Sequence, residues 1–476
     1  LGLEAAEHRF VVFAVLRVDE SVDSKQLILA LAVAVLLPGC GADSPERILR
    51  DALAKQTMGI VRLPAGDLVL SEPLRLPRGA RDMEIRGGDQ SRLVAAADFK
   101  GAALLIIEGA KNVLLTDFSV DGNRAQLARP FEMAPPENAF RVWYPSNGIL
   151  ADEVEGLRVE RVQFRNVVHF PLLVSRSSMV RIKEVTVADS GALDARGRNN
   201  LSGGILIEEG TADFEVQRSV FRNIRGNGLW THSLFTSPRL LDGAFLDNKF
   251  EGIGRDAIQV GHAKRVTVQG NQGRDIGYPF DVVDVEHGGV PVAIDTAGDV
   301  EGSQYLRNRF DEINGKCIDL DGFHDGIVEG NVCVNAHAAS DYPSGHFGIV
   351  MNNTHPDAHS SNISITGNII LGAKYGGLFL MGENNQVVSN RFENVNLAGC
   401  TESVAACVYK ADEPKMLGTG IYLGRGVARM EKTQKNVIRN NVVIGRGMRA
   451  QCINVGPGVE RAANTIEDNT CSEAAK

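Results

Sequence analysis

Residues 291–325 read PVAIDTAGDVEGSQYLRNRFDEINGKCIDLDGFHD, in which two similar runs, Ala293-Ile294-Asp295 and Cys317-Ile318-Asp319-Leu320-Asp321, each set acids directly after aliphatic residues. Short alternation of aliphatic and polar side chains marks a strand with one buried face. Between the runs lies Asn308, one of eight asparagines, Asn248, Asn271, Asn308, Asn331, Asn368, Asn390, Asn441 and Asn469, that each precede a short apolar run. Their gaps are 23, 37, 23, 37, 22, 51 and 28 residues. The shortest gap is one coil of a solenoid, and the longer ones are the same coil with a loop inserted. Asn tolerates a left-handed turn, and turns stacked about 4.8 Å apart let each amide bond the next.

Two residues after these asparagines comes an inward slot, Phe250, Phe310, Cys333, Ile370, Phe392, Val443 and Cys471, which stacks into a core. A second strand column follows Gly, Ala or Cys in each coil: Gly148-Ile149, Gly204-Ile205, Gly228-Leu229, Ala257-Ile258, Ala293-Ile294, Cys317-Ile318, Gly348-Ile349, Gly377-Leu378, Gly420-Ile421 and Cys452-Ile453. The coils, the Asn column and the opening Leu63-Pro64-Ala65-Gly66 with Ser71-Glu72-Pro73-Leu74 resemble the right-handed parallel β-helix, or pectin-lyase-like, superfamily over residues 60–470. The resemblance implies an all-β solenoid of about 11–12 coils. It leaves the activity open, since the superfamily holds lyases, hydrolases, epimerases and binding proteins.

Upstream, Ser44-Pro45-Glu46 is a helix start, with a hydroxyl N-cap, Pro at the first helical position and an acid in the first turn. Ile48, Leu49, Ala52 and Leu53 form its apolar stripe and Gly59 ends it, so a linker and capping helix are expected over 41–59, ahead of one β-helix domain over 60–476. Before that, Lys25 and the 11-residue apolar run Leu27–Leu37 lead into Leu37-Pro38-Gly39-Cys40. This resembles a bacterial lipoprotein signal, too short to span a bilayer core of about 30 Å. The resemblance implies export, cleavage before Cys40 and a lipid anchor on Cys40, with Gly41 favouring the outer membrane of a Gram-negative envelope. Val22 lies where a short n-region would begin, so residues 1–21 are set aside from the fold.

A net charge of -9 argues against a nucleic-acid partner and gives no encouragement to a bare polyanion. Six cysteines remain beyond Cys40. Cys400 and Cys407 share one loop and can close a bridge, whereas Cys317 with Cys333 and Cys452 with Cys471 are either bridges or buried thiols.

Strand side chains alternate, so the residue after each inward Ile or Leu points out. One outward column reads Leu150, Leu173, Leu206, Trp230, Gln259, Asp295, Asp319, Val350, Phe379, Tyr422 and Asn454. Two residues on, a parallel column runs through Asp152, Ser175, Glu208, His232, Gly261, Ala297, Asp321, Asn352 and Met381. Insertions at Gln126–Ser146, Gly277–Val290, Ala336–Phe347 and Leu397–Thr419 wall one side of this face, as a cleft for a polymer requires.

Asp295 and Asp319 on adjacent coils are expected about 5 Å apart, and Asp319 and Asp321 about 6.5–7 Å. Those separations span both glycosidase ranges, and repulsion among three acids makes one a proton donor. The candidate catalytic residues are Asp295, Asp319, Asp321 and His324, with His232, His262 and His346 as nearby proton carriers. Trp230, His232, Gln259, Asn352, Phe379 and Tyr422 are the candidate sugar-binding residues, the aromatics as stacking platforms. The acids resemble those of polygalacturonases, where an Asp on one coil faces an Asp pair on the next, but there is no adjacent Asp pair and no Gly-His-Gly. Three readings stand: a monomeric polysaccharide hydrolase without cofactor, a Ca2+-dependent polysaccharide lyase or uronate epimerase, and a glycan-binding surface lipoprotein without catalysis.

Overall fold

The computed structural model of this chain describes residues 28–29, 44–199, 202–285, 289–401, 407, 413, 415–426 and 429–474. Cys40 and its lipobox lie outside the described residues, and of the preceding apolar run only Ile28–Leu29 is described, paired with Ile60–Val61. The chain winds into a solenoid in which every strand pairing is parallel and joins neighbouring coils. Among the described residues, the sheet that follows the asparagine turns has 14 strands, from Gly66–Leu70 to Thr470–Glu473, so the coils exceed the expected 11–12. The extra coils are N-terminal, where no asparagine marks the turn.

Each coil carries three strand columns rather than the two legible in the sequence. After the ladder sheet comes the cleft sheet, for example Asn147–Asp152, Gly203–Glu208 and Lys316–Asp321. Then comes a side sheet, for example Glu155–Glu160, Ser178–Lys183 and Ala212–Gln217. Ile258–Gln269 and Val292–Glu301 pass from cleft sheet to side sheet without a break, which joins the two into one 28-stranded network.

The asparagines form a buried ladder. Each Nδ2 donates to the Oδ1 of the next, at 3.0 Å from Asn248 to Asn271 and 2.9 Å from Asn271 to Asn308, and so on through Asn469. Each backbone N–H donates to the same Oδ1, as Asn308 does to Asn331 at 3.0 Å. The left-handed residue is not the asparagine but the one before it: Asp247, Gly270, Arg307, Gly330, Gly367, Ser389, Asn440 and Asp468 all have φ of 51–67°. Ser219 continues the column upward by donating its N–H to Asn248 Oδ1, and Val185 in turn donates its N–H to Ser219 Oγ. Above that, buried Val162 and Phe118 hold the same place after left-handed Arg161 and Asp117.

Inside, Phe221 stacks on Phe250 at 5.0 Å, and Phe250 meets Phe310 at 6.3 Å across the intervening coil. Gly273 occupies that coil because a Cβ there would lie 2.6 Å from the Phe310 ring. The corner between ladder sheet and cleft sheet points inward. There Cys317 reaches Cys333 and Cys452 reaches Cys471 as disulfides, with Cys400–Cys407 closing a third in its loop.

Over the N-terminal end lies helix α1, Pro45–Lys55, capped by Ser44, whose Oγ accepts the Arg47 N–H at 3.3 Å. Leu49 and Leu53 bury, whereas Ile48 stays 38% exposed and is not part of the plug. Glu46 ties the helix down by accepting the Ser71 N–H at 2.7 Å.

Candidate active site

The pairing register carries the outward column as read from the sequence. Trp230, Gln259 and Asp295 lie side by side, as do Asp319, Val350, Phe379, Tyr422 and Asn454, and Ile294 opposite Ile318 sets Asp295 beside Asp319. Asp321 pairs with Asn352 in the next coil. Among the described residues, the loops between ladder sheet and cleft sheet wall one side; residues 286–288 of the 277–290 insertion and 402–406, 408–412 and 414 of the 397–419 insertion lie outside them. A second wall, not recognised from sequence, is built by 233–239, 353–363, 424–426 and 429–436, between cleft sheet and side sheet.

Three carboxylates stand here in unequal environments. Asp295 is 8% exposed, and its Oδ2 accepts Gln259 Nε2 at 2.6 Å; Gln259 Oε1 in turn accepts Asn227 Nδ2 at 2.9 Å. Burial, with Asp256 and Asp319 alongside, pushes Asp295 well above the usual carboxylate range. Asp319 is 7% exposed and forms an ion pair with the Lys316 ammonium. Burial pulls Lys316 down, but Asp319, then Asp295 and Asp321, more than offset it, so the lysine holds its proton more firmly than in water. Asp321 is raised by burial and by Asp319, and both its oxygens are engaged by Thr354, through N–H at 2.8 Å and Oγ1 at 2.6 Å.

Lys316 and Asp256 are site residues that alternation misses. Both lie two residues before an inward isoleucine, a parity that predicts an inward side chain. At this corner the backbone turns, Cys317 and Ile318 both face in, and Lys316 faces out beside Asp319. Asp256, fully buried, accepts the Val292 N–H at 2.9 Å and lies 3.7 Å from Arg255; burial raises its carboxyl. His346 is half-buried near Lys316 and held neutral, its imidazole pushed down to about 3 by desolvation and by Lys316.

His324 is not beside these acids. After Gly322, with φ of 71°, Phe323 turns into the core and His324 pairs along the side sheet, around the corner from Asp319. His262 lies on the same rim, against Phe235 and His355. Phe379 and Tyr422, expected as stacking platforms, are each only 2% exposed and stack on one another at 6.0 Å, with Phe347 edge-on to Phe379. They are floor beneath the wall loops rather than open surfaces.

Trp230 and His232 do line open space. A cleft of about 320 Å³ runs between the 133–140 loop and Trp230, His232, Arg255 and Gln259, ending next to Asp295. Phe140 packs on Trp230 at 5.1 Å and lies flat on His232 at 4.3 Å, and burial lowers His232 to about 4. Glu208 holds this loop by accepting the Phe140 and Arg141 N–H groups at 2.9 Å each; burial raises its carboxyl to about 7.

A family model described as right handed beta helix region matches residues 293–475, which include Asp295, Asp319 and Asp321. No curated protein matches the chain. Among solved structures, the catalytic unit of a thermostable GH87 alpha-1,3-glucanase from Streptomyces thermodiastaticus aligns at a TM-score of 0.47 and 15% identity, over 90% of this chain and 67% of that one. The A-module of a mannuronan C-5 epimerase from Azotobacter vinelandii aligns at 0.48 and 13%, over 90% and 94%. The surface protein and adhesin PfbA of Streptococcus pneumoniae aligns at 0.48 and 11%, over 91% and 97%. At such identities the likeness is one of fold alone. Coils, sheets and family model agree that the chain is a right-handed parallel β-helix.

Proposed function

We propose that this protein is a polysaccharide-degrading glycoside hydrolase, exported and held at the cell envelope by a lipid on Cys40. The observation that carries the activity is the pairing of two unlike carboxylates on neighbouring strands at the cleft floor. Asp295, kept protonated by burial and by the acids beside it, supplies the proton to the departing glycosidic oxygen. Asp319, ion-paired with Lys316, is the carboxylate that acts on the opposite side of the bond, as nucleophile or through a water. Asp256 and Asp319 hold the negative field that keeps Asp295 protonated, and Asp321, fixed by Thr354, orients the sugar. Trp230 and Gln259 lie along the path of the chain into the cleft.

The same surroundings weigh against proton abstraction beside a metal-bridged uronate. Lys316 keeps its proton and His346 is too weakly basic to take one. The acid group also fits Ca2+ poorly, because its cation is Lys316 and both oxygens of Asp321 are engaged by Thr354.

A glycan panel scored for new reducing ends and for unsaturated products tests the reading. New reducing ends, lost in Asp319→Asn, are expected. Unsaturated products or uronate inversion that stop on chelation would replace it with the lyase or epimerase reading, and tight binding without any product would make the protein a glycan-binding lipoprotein.

A further inference from the structure

Four of the chain's ten histidines, His262, His324, His355 and His359, gather on the rim between cleft sheet and side sheet, outside the acid site. His324 is the best fixed of them. Its Nε2 lies 2.9 Å from Asp299 Oδ1, and the other Asp299 oxygen is held by Arg239 at 2.8 Å, so Nε2 carries the hydrogen and donates. Nδ1 then turns to Asp325 Oδ2 at 2.6 Å. Two lone pairs cannot face each other at that distance unless a proton or a cation lies with them. Asn362 donates to the other Asp325 oxygen at 2.8 Å, which keeps Oδ2 aimed at His324. The His359 ring stacks on His324 at 4.3 Å, and one donor atom from each of His324, Asp325 and His359 falls within 4.8 Å of the others.

We propose that His324, Asp325 and His359 form a binding site for a divalent transition cation of the zinc class. Two imidazoles and one carboxylate suit Zn2+, Co2+ or Ni2+ rather than Ca2+ or Mg2+, and leave a fourth position for water. A carboxylate on the far nitrogen of a ligating imidazole, as Asp299 is to His324, is the usual outer support of such a site. The only other grouping of this kind among the described residues, Glu208, Glu209 and His232, has its carboxylates engaged: Glu208 by two backbone N–H groups and Glu209 by Leu234 N–H and the Ser237 hydroxyl. The site also has a consequence for the cleft. His359 and Thr354 lie on the same 353–363 loop, so a cation on the rim fastens the loop that caps Asp321. The proposal does not depend on the hydrolase reading.

Calorimetric titration of the metal-free full chain with Zn2+, with Co2+ absorption as a second readout, tests it. One equivalent is expected, with affinity falling at least about tenfold in His359→Ala and in Asp325→Asn, and about 10- to 100-fold in Asp299→Asn. His337→Ala, on an exposed histidine elsewhere, is expected to bind as wild type. His359 and Asp325 are exposed, so their substitution spares the core, and circular dichroism checks the fold. No uptake by the wild type, or uptake unchanged in both His359→Ala and Asp325→Asn, overturns the proposal and leaves His324 a protonated imidazolium between two acids.

Discussion

Replacing Lys316 with Met keeps an unbranched side chain only one atom shorter and removes the charge that stands beside Asp319. The two side chains are 16% and 10% exposed, so the pair is largely withdrawn from water. Removing one partner of such a pair costs about 3–5 kcal/mol, and the residual exposure points to the lower end. Neighbouring acids set a similar scale: carboxylates one strand spacing apart, about 4.8 Å, repel by about 3.5 kcal/mol at an effective dielectric constant of about 20. In Lys316→Met an ionised carboxylate at 319 is left buried without its cation. Such a charge costs stability only while it is present, so the loss is small near pH 4, in the carboxylate range, and grows as pH rises above it. The expected penalty is about 3 kcal/mol at about pH 8 and under about 1 kcal/mol at about pH 4. Urea denaturation of wild type, Lys316→Met, Asp319→Asn and the double variant at both pH values measures it, and the double variant should regain most of the loss at the higher pH. An equal penalty at both pH values, or no recovery in the double variant, would refute the reasoning and reduce Lys316 to a packing residue.

Other outcomes follow from single contacts. Asn331→Ala removes four hydrogen bonds, two to Asn308, one to Asn368 and one to Tyr305, and at about 1 kcal/mol each should cost about 4 kcal/mol in the same denaturation assay. Cys452→Ser opens the bridge to Cys471 across 19 residues, worth about 3 kcal/mol, and should expose the last coil to protease before the rest of the chain. Gln259 donates to the charged form of Asp295, so Gln259→Leu should move the alkaline limb of kcat to higher pH; a limb that stays or falls would remove Asp295 from the proton-donor role.

Much of this molecule is legible before any coordinate because its period is rigid. The recurrence of Asn before an apolar slot and of Gly-Ile before an outward residue is enough to set Asp295 beside Asp319 and to run the column from Trp230 to Asn454, as the pairing register has it. The reading weakens where the backbone leaves strand geometry. At the corner, alternation fails, so Lys316 and Asp256 fall outside the outward columns and the bridges of Cys317 and Cys452 stay open between disulfide and thiol. The side sheet has no Gly or Asn flag and passes unseen. Early coils replace the ladder Asn with Ser219, Val185, Val162 and Phe118, which lowers the count of coils. Phe379 and Tyr422 stand in the predicted column, yet whether a loop covers them is decided by packing between segments far apart in sequence.

Delivery of a proton by Asp295 to a departing sugar is tested by Asp295→Asn assayed on two substrates of the glycan that the panel identifies. A loss of kcat of about 10²- to 10⁴-fold is expected on the natural glycoside, whose leaving group needs the proton. Near-complete recovery is expected on an aryl glycoside whose acidic phenol leaves without one. An equal loss on both substrates, or full activity on the natural one, would contradict it.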